Sequence, residues 1–425
     1  MFSSMMSQYN PKEVKLHKYN VIVFCIFFLY GLNHTIFERK FFFNEILSLL
    51  GLILFFRNLA LQKLPLKISK IQNHIIFYVF AFWLLCIVHL ITSISIKTNW
   101  YYYLRNSVIF YSSFSFWIGY FLYEDFRVFF HKIKYLILLL LLIGEIISIL
   151  FDVYILDRYS VAVFIPLIFI DRKFTYKHLL YIIALALFHS FQQPSATLFF
   201  LIVGITILYF IPSYKLFVIF ASLTLVLFIS FFVLFSSHLE KNKINGDCCL
   251  YGNLYAVVTS HKIFAYDGNS TWRAVLWYKA ITERFSENLW GIGFGTPLLY
   301  YHKNMHVQYF EEMHKFSPRG NAEYEIHVSG LHNTFLTLFL RLGIIILFWF
   351  FVVYANIFHF FYQFKSILSN SGELSIFLSF IAISFIGLFN LLLESPIYAS
   401  LFWVLLGVIS KMIETKKNTN YEKSI

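Results

Sequence analysis

The residues best suited to chemistry sit where a long polar stretch meets an apolar one. His332 and Asn333 close the run Ser329-Gly330-Leu331-His332-Asn333 and lead straight into apolar sequence. If Asn333 or its neighbours begin a helix there, His332 lies beside a helix N-terminus. The positive end of that helix disfavours imidazolium and leaves a ring able to accept a proton. The plain alternative is a histidine that only caps a loop. Two arginines complement it: Arg158, in Asp157-Arg158-Tyr159-Ser160, and Arg273, in Ser270-Thr271-Trp272-Arg273. A planar guanidinium pairs bidentately with phosphate oxygens and keeps its charge beside lipid. Two of them facing one cavity would hold a pyrophosphate; the alternative for each is an interfacial side chain whose head reaches for water.

Other groups promise less. His302 and His306 are four apart and His314 follows, but a metal site would need a helix and a converging carboxylate such as Glu311 or Glu312. Neither is indicated, and no metal is expected. Asn288-Leu289-Trp290-Gly291-Ile292-Gly293-Phe294-Gly295-Thr296-Pro297 is glycine-rich but lacks a βαβ context, so it reads as a tight turn at the membrane surface rather than a dinucleotide site. Ionisable residues within apolar runs are few, with Glu145 the most central carboxylate and Glu394 at an edge. Arg341 lies on the far side of an ideal helix from His332, so a shared cavity would need a bend.

These groups must be carried by a membrane. The chain is 59% hydrophobic, 21% aromatic and 13% charged, more apolar surface than a soluble core can hide. Apolar runs of about 20 residues cross roughly 30 Å of hydrocarbon, and about twelve are legible. They lie near 20–37, 42–61, 74–96, 107–123, 134–151, 160–170, 178–191, 196–212, 215–236, 336–361, 374–393 and 396–413. The first has no small-residue cleavage site and reads as retained. Lys12, Lys15, Lys18, Lys63, Lys67, Lys70, Arg127, Lys132, Lys134, Arg172, Lys173, Lys177, Lys365, Lys411, Lys416, Lys417 and Lys423 fall on one side. Arg39, Lys40, Lys97, Arg105 and Arg158 fall on the other, which places both termini in the cytoplasm. The net charge of +12 follows from this bias and calls for anionic lipid rather than nucleic acid. Cys25 and Cys86 read as core residues, and a bond between the adjacent Cys248 and Cys249 would be strained.

The expected architecture is an all-α polytopic membrane protein with one large outer loop between the ninth and tenth spans. Residues 1–236 hold nine spans, 237–331 form an outer subdomain with short helices, and 332–425 hold three spans and a cytoplasmic tail. A loop helix capped at Asn269-Ser270-Thr271 would run from Trp272 past Trp277 to about Phe285, too apolar on its faces to stand free of the membrane domain. Residues 298–326 read as irregular or short-helical.

The chain resembles the O-antigen ligase and polymerase family of bacterial envelope glycosyltransferases. The likeness rests on His332-Asn333-Thr334-Phe335-Leu336 followed by Leu342-Gly343-Ile344-Ile345, on Arg273 and Trp277 ahead of Gly291-Ile292-Gly293-Phe294-Gly295, and on one large loop late in the span order. It implies a GT-C-like inner-membrane enzyme that uses an undecaprenyl-pyrophosphate-linked glycan as donor, with no cofactor and no metal. Membrane lipids and a chain-length regulator or other polysaccharide-assembly proteins are the implied partners. His332 would be the base or acceptor-orienting group and Asn333 and Trp277 its supports. Arg273, Arg158 and Arg341 would bind the pyrophosphate. The chain departs from the family pattern at Gln193-Pro194-Ser195, where Ser-Arg is frequent, and at Arg341, where an acidic residue is common. Both changes imply a rearranged clamp.

Polymerisation of carrier-linked repeat units is the expected function, because a large tyrosine-containing loop suits an idiosyncratic repeat. Ligation to lipid A core is the near alternative. A lipid-linked oligosaccharide flippase is the alternative of another class, and it predicts short outer loops and a polar central cavity, the reverse of this chain.

Overall fold

The computed structural model describes chiefly residues 43–64, 74–94, 100–131, 158–192, 208–219, 289–302 without 297, 330–389 and 392–424 without 395–397. Isolated positions between them, among them 134, 135, 277, 280 and 325–328, are described as well. Eleven α-helices are delimited there: α1 (Phe43–Ala60), α2 (His74–Ile94), α3 (Trp100–Asn106), α4 (Val108–Tyr111), α5 (Phe116–Phe121), α6 (Arg158–Leu167), α7 (Tyr176–Gln192), α8 (Thr334–Leu342), α9 (Ile344–Ser371), α10 (Leu374–Phe389) and α11 (Ala399–Ser424). Strands β1 (Leu299–His302) and β2 (Glu325–Val328) pair antiparallel, with Tyr300 opposite His327.

The helical, lipid-compatible character expected of the chain is present. α2 and α9 are long and apolar enough to cross a membrane. Their outer faces carry Leu84, Ile91, Phe348 and Phe351 largely exposed, the last at 70%. Water would penalise so continuous an apolar surface, whereas hydrocarbon does not. α10 and α11 are buried nearly all round and form the centre, with α11 packed on α5 and α10 on α6. Close approach there depends on small residues, as is usual between helices in lipid. A Cβ at Gly119 would come within 1.9 Å of the Val404 carbonyl oxygen, and one at Gly407 within 2.0 Å of that of Phe116.

Three expectations need correction. The run at 107–123 is not one helix: the 3-10 turn Ser112–Ser115 lies between α4 and α5. The run at 336–361 is also broken, because Gly343 adopts φ +78° and separates the nine-residue α8 from the 28-residue α9. The stretch 298–326, expected to be irregular or short-helical, begins and ends in the two strands of the ribbon. Leu299-Tyr300-Tyr301-His302 is rich in the aromatic residues that favour strands. The run at 20–37, most of 134–151, 196–212 and 215–236, and Cys248 and Cys249 lie outside the described residues.

α9 spans about 42 Å from end to end at 1.5 Å per residue. Beyond its C-terminus the bundle is cross-linked by ions. Glu373 receives Lys416 at 2.6 Å, the Tyr123 hydroxyl at 2.7 Å and the Ser371 hydroxyl at 2.9 Å, with Arg127 at 3.8 Å. Asp171 takes Lys134 at 2.7 Å and also His131. Lys134, Arg127, Arg172 and Lys416, which the charge count put on one side, thus meet at one end of the bundle.

Candidate functional site

The other end of α9 carries the candidate site. Asn333 caps α8: its backbone is extended and its side-chain oxygen accepts the Leu336 N–H at 3.0 Å. An asparagine in this place satisfies one of the donors that a helix start leaves open. The expectation that a helix begins here, directly after His332, is met. His332 itself has φ +51°, the left-handed region that residues with a Cβ seldom enter. Such a conformation persists only where the surroundings hold it from several sides.

They do so here. Before the corner, the Leu331 carbonyl accepts the Trp277 indole N–H at 2.7 Å, while the Leu331 N–H donates to the Thr337 hydroxyl at 3.1 Å. Trp277, expected as a support, therefore touches the residue that precedes His332. After the corner, the Thr334 hydroxyl donates to Glu394 at 2.6 Å and accepts the Leu392 N–H at 2.6 Å. Thr334 and Thr337 are both wholly buried. Half-buried His332 is thus presented by a short rigid element rather than by a loose loop.

The far end of α8 is locked to the glycine-rich turn. Ile292 N donates to Leu340 O at 2.8 Å, Gly293 N to Arg341 O at 2.9 Å, and Ile344 N to Leu289 O at 2.9 Å. The two backbones lie so close that a Cβ at Gly291 would come within 2.4 Å of Arg341 O, and one at Gly343 within 2.6 Å of the Trp290 carbonyl carbon. The turn is pinned on its other side by Ser93, whose hydroxyl accepts the Phe294 N–H at 2.9 Å, and by Asn106, which donates to Phe294 O at 2.8 Å. The tight-turn reading of this motif therefore holds, and its glycines are there for backbone contact.

Arg341 is completely buried and donates to Gly293 O at 3.0 Å and Thr296 O at 3.2 Å. Its position on α8, a helix that does not span, sets it beneath the turn. Burial lowers its proton affinity, the Glu394 carboxylate raises it, and Arg105 lowers it again, with a net downward shift. Glu394 is displaced the other way. Burial raises its pKa, against the opposing effects of the Thr334 hydroxyl, its own backbone, the Thr337 hydroxyl and Arg341.

Of the remaining expected site residues, Arg158 is the first residue of α6, and its side chain lies outside the described residues, as does all of Arg273. Trp277 and Ala280 are helical, in agreement with the expected loop helix, of which the rest is likewise not described. His302 is in β1, so the helical spacing that linked it to His306 is absent; His306 and His314 lie outside the described residues. Among the described residues no three His, Cys, Asp or Glu side chains converge as metal ligands.

Sequence reasoning noticed Glu394 only as an edge carboxylate and passed over Thr334, Thr337, Ser93 and Asn106. The available signal was a pair of threonines three apart after His332-Asn333, on a helix apolar but for Arg341. Threonines three apart share a helix face.

Residues 178–351 match the family model described as O-antigen ligase. The matched stretch contains the His332 corner, the glycine-rich turn and all of α8. No curated protein matches the chain.

Proposed function

We propose, from the O-antigen ligase domain at residues 178–351, that this membrane protein polymerises undecaprenyl-pyrophosphate-linked repeat units by glycosyl transfer at the outer face. The observation that carries the reading is the rigid corner within that domain. A histidine in left-handed conformation, clamped before and after, directly precedes a capped helix. The chemistry requires an acceptor hydroxyl to attack the anomeric carbon of the donor. As the new C–O bond forms, the bond to the pyrophosphate oxygen breaks and its electron pair leaves with the carrier. His332 takes the hydroxyl proton, and Arg273 with Arg158 neutralises the leaving group. Arg341 donates to two carbonyls of the turn. Its share in the clamp is therefore a positive charge set behind that turn.

General-base assistance contributes about 10²–10⁴-fold. Loss of a cation at the leaving group costs several kcal/mol in a site poor in water, on the order of 10²–10³-fold or more. Arg273→Ala is thus expected to lower turnover at least as far as His332→Ala in an assay with purified protein and carrier-linked glycan. Full activity of Arg273→Ala or Arg273→Lys would remove the clamp from the mechanism. Deletion of the gene separates polymerase from ligase. A single repeat on the core marks a polymerase, and bare core with long carrier-linked chains marks a ligase.

A further inference from the structure

We infer that Glu394 is a positioning residue for His332, acting through the hydroxyl of Thr334. The inference rests on the glycosyl-transfer reading for its consequence in turnover, but its geometry stands by itself. The Thr334 hydroxyl donates to Glu394 Oε2 and accepts the Leu392 N–H. The Thr337 hydroxyl accepts the Leu331 N–H, on the other side of His332. A hydroxyl has one proton and two lone pairs, so Thr334 relays between the carboxylate it donates to and the backbone N–H it accepts.

The carboxylate therefore holds the chain directly after His332, at Thr334, while Thr337 holds Leu331 directly before it. This is what a left-handed histidine needs, since its backbone would otherwise relax towards ordinary φ. Glu394 comes from the α10–α11 connection, remote in sequence, so it ties the corner to the two most buried helices.

The test uses the full chain in detergent micelles with two readouts. Turnover on carrier-linked glycan is measured for Glu394→Gln, Thr337→Val and Thr334→Val, with Thr334→Ser as the conservative control. In parallel, His332→Cys is placed in a chain whose four native cysteines are serine, and its rate of labelling by a maleimide is followed with and without each change. A cysteine at Lys173, at the ion-paired end, serves as reference. The expected result is a tenfold or larger fall in kcat with little change in donor KM, and a several-fold change in labelling at position 332. The Lys173→Cys rate should stay constant, and Thr334→Ser should restore both readouts. Unchanged labelling at position 332 in Glu394→Gln and Thr334→Val would overturn the inference, whatever turnover does. A shifted labelling rate in a protein that makes no glycan linkage would instead keep the positioning and discard the glycosyl-transfer reading. Should Glu394→Gln fail to accumulate, the near-isosteric Thr334→Val carries the test.

Discussion

The two ends of the bundle are both polar, and they are polar in different ways. At the C-terminal end of α9, carboxylates meet full charges: Glu373 with Lys416 and Arg127, Asp171 with Lys134 and His131. At the N-terminal end, the carboxylate of Glu394 is met by the Thr334 hydroxyl, and the guanidinium of Arg341 by carbonyl oxygens. Ion pairs tolerate variation in geometry and serve to cross-link helices. Hydroxyl and carbonyl hydrogen bonds are directional, and a buried network of them fixes one arrangement. The second end is therefore built to hold a shape, and the shape it holds is the corner at His332.

The most damaging change should be at the second end. Arg341→Met leaves the carbonyls of Gly293 and Thr296 without their donor, a loss of about 1–3 kcal/mol for each. Thermal unfolding in detergent should show it. Lys416→Met beside Glu373 should cost less, because Arg127 and the Tyr123 hydroxyl remain. Equal losses for the two variants would dissolve the distinction between the ends.

Next in size is a matched pair of glycines. Gly343 and Gly372 both have φ +78°, and at each a Cβ would come within 2.6 Å or less of backbone. Alanine at either should cost about 2 kcal/mol or more. Since Gly343 abuts the Trp290 carbonyl and Gly372 the Arg172 backbone, only Gly343→Ala should lower turnover out of proportion to its stability. The ratio of activity to folded protein in membranes is the measurement that checks this.

Much of this division was legible in the sequence. Arg127, Lys134, Arg172 and Lys416, four of the cations counted on one side, do meet at one end, because charge at an interface is dictated by lipid and needs no tertiary detail. The helix start at Asn333 was legible for the same reason: capping is local. What sequence alone did not reveal depends on contacts between distant segments. The break at Gly343 looks like an ordinary glycine in an apolar run until the turn at Leu289–Gly293 is seen to occupy the space a Cβ would need. Arg341 read as a phosphate ligand by residue type, while its observed bonds go to Gly293 and Thr296. Glu394 lies 60 residues from the threonine it binds, beyond the reach of any periodicity.

The smallest and most discriminating effect is the response to pH, since the two buried carboxylates are displaced in opposite directions. At Glu373 burial raises the pKa, but Lys416, Tyr123 and Ser371 outweigh it and the net shift is downward. Its contribution to stability is present above the ordinary glutamate range and is lost as pH falls through the depressed value. At Glu394 burial prevails over the hydroxyls and Arg341, and the shift is upward. The folded protein then holds the proton more tightly than the unfolded chain, so this end loses stability as pH rises from about 4.5, the ordinary value, towards the raised one. Melting temperatures followed from about pH 2 to 8 should therefore fall below the ordinary glutamate value because of Glu373 and sag above it because of Glu394. Glu373→Gln should flatten the first slope only and Glu394→Gln the second only. If Glu394→Gln instead removed a loss at low pH, its carboxylate would be ionised and charge-paired like Glu373, and both ends would work by the same means.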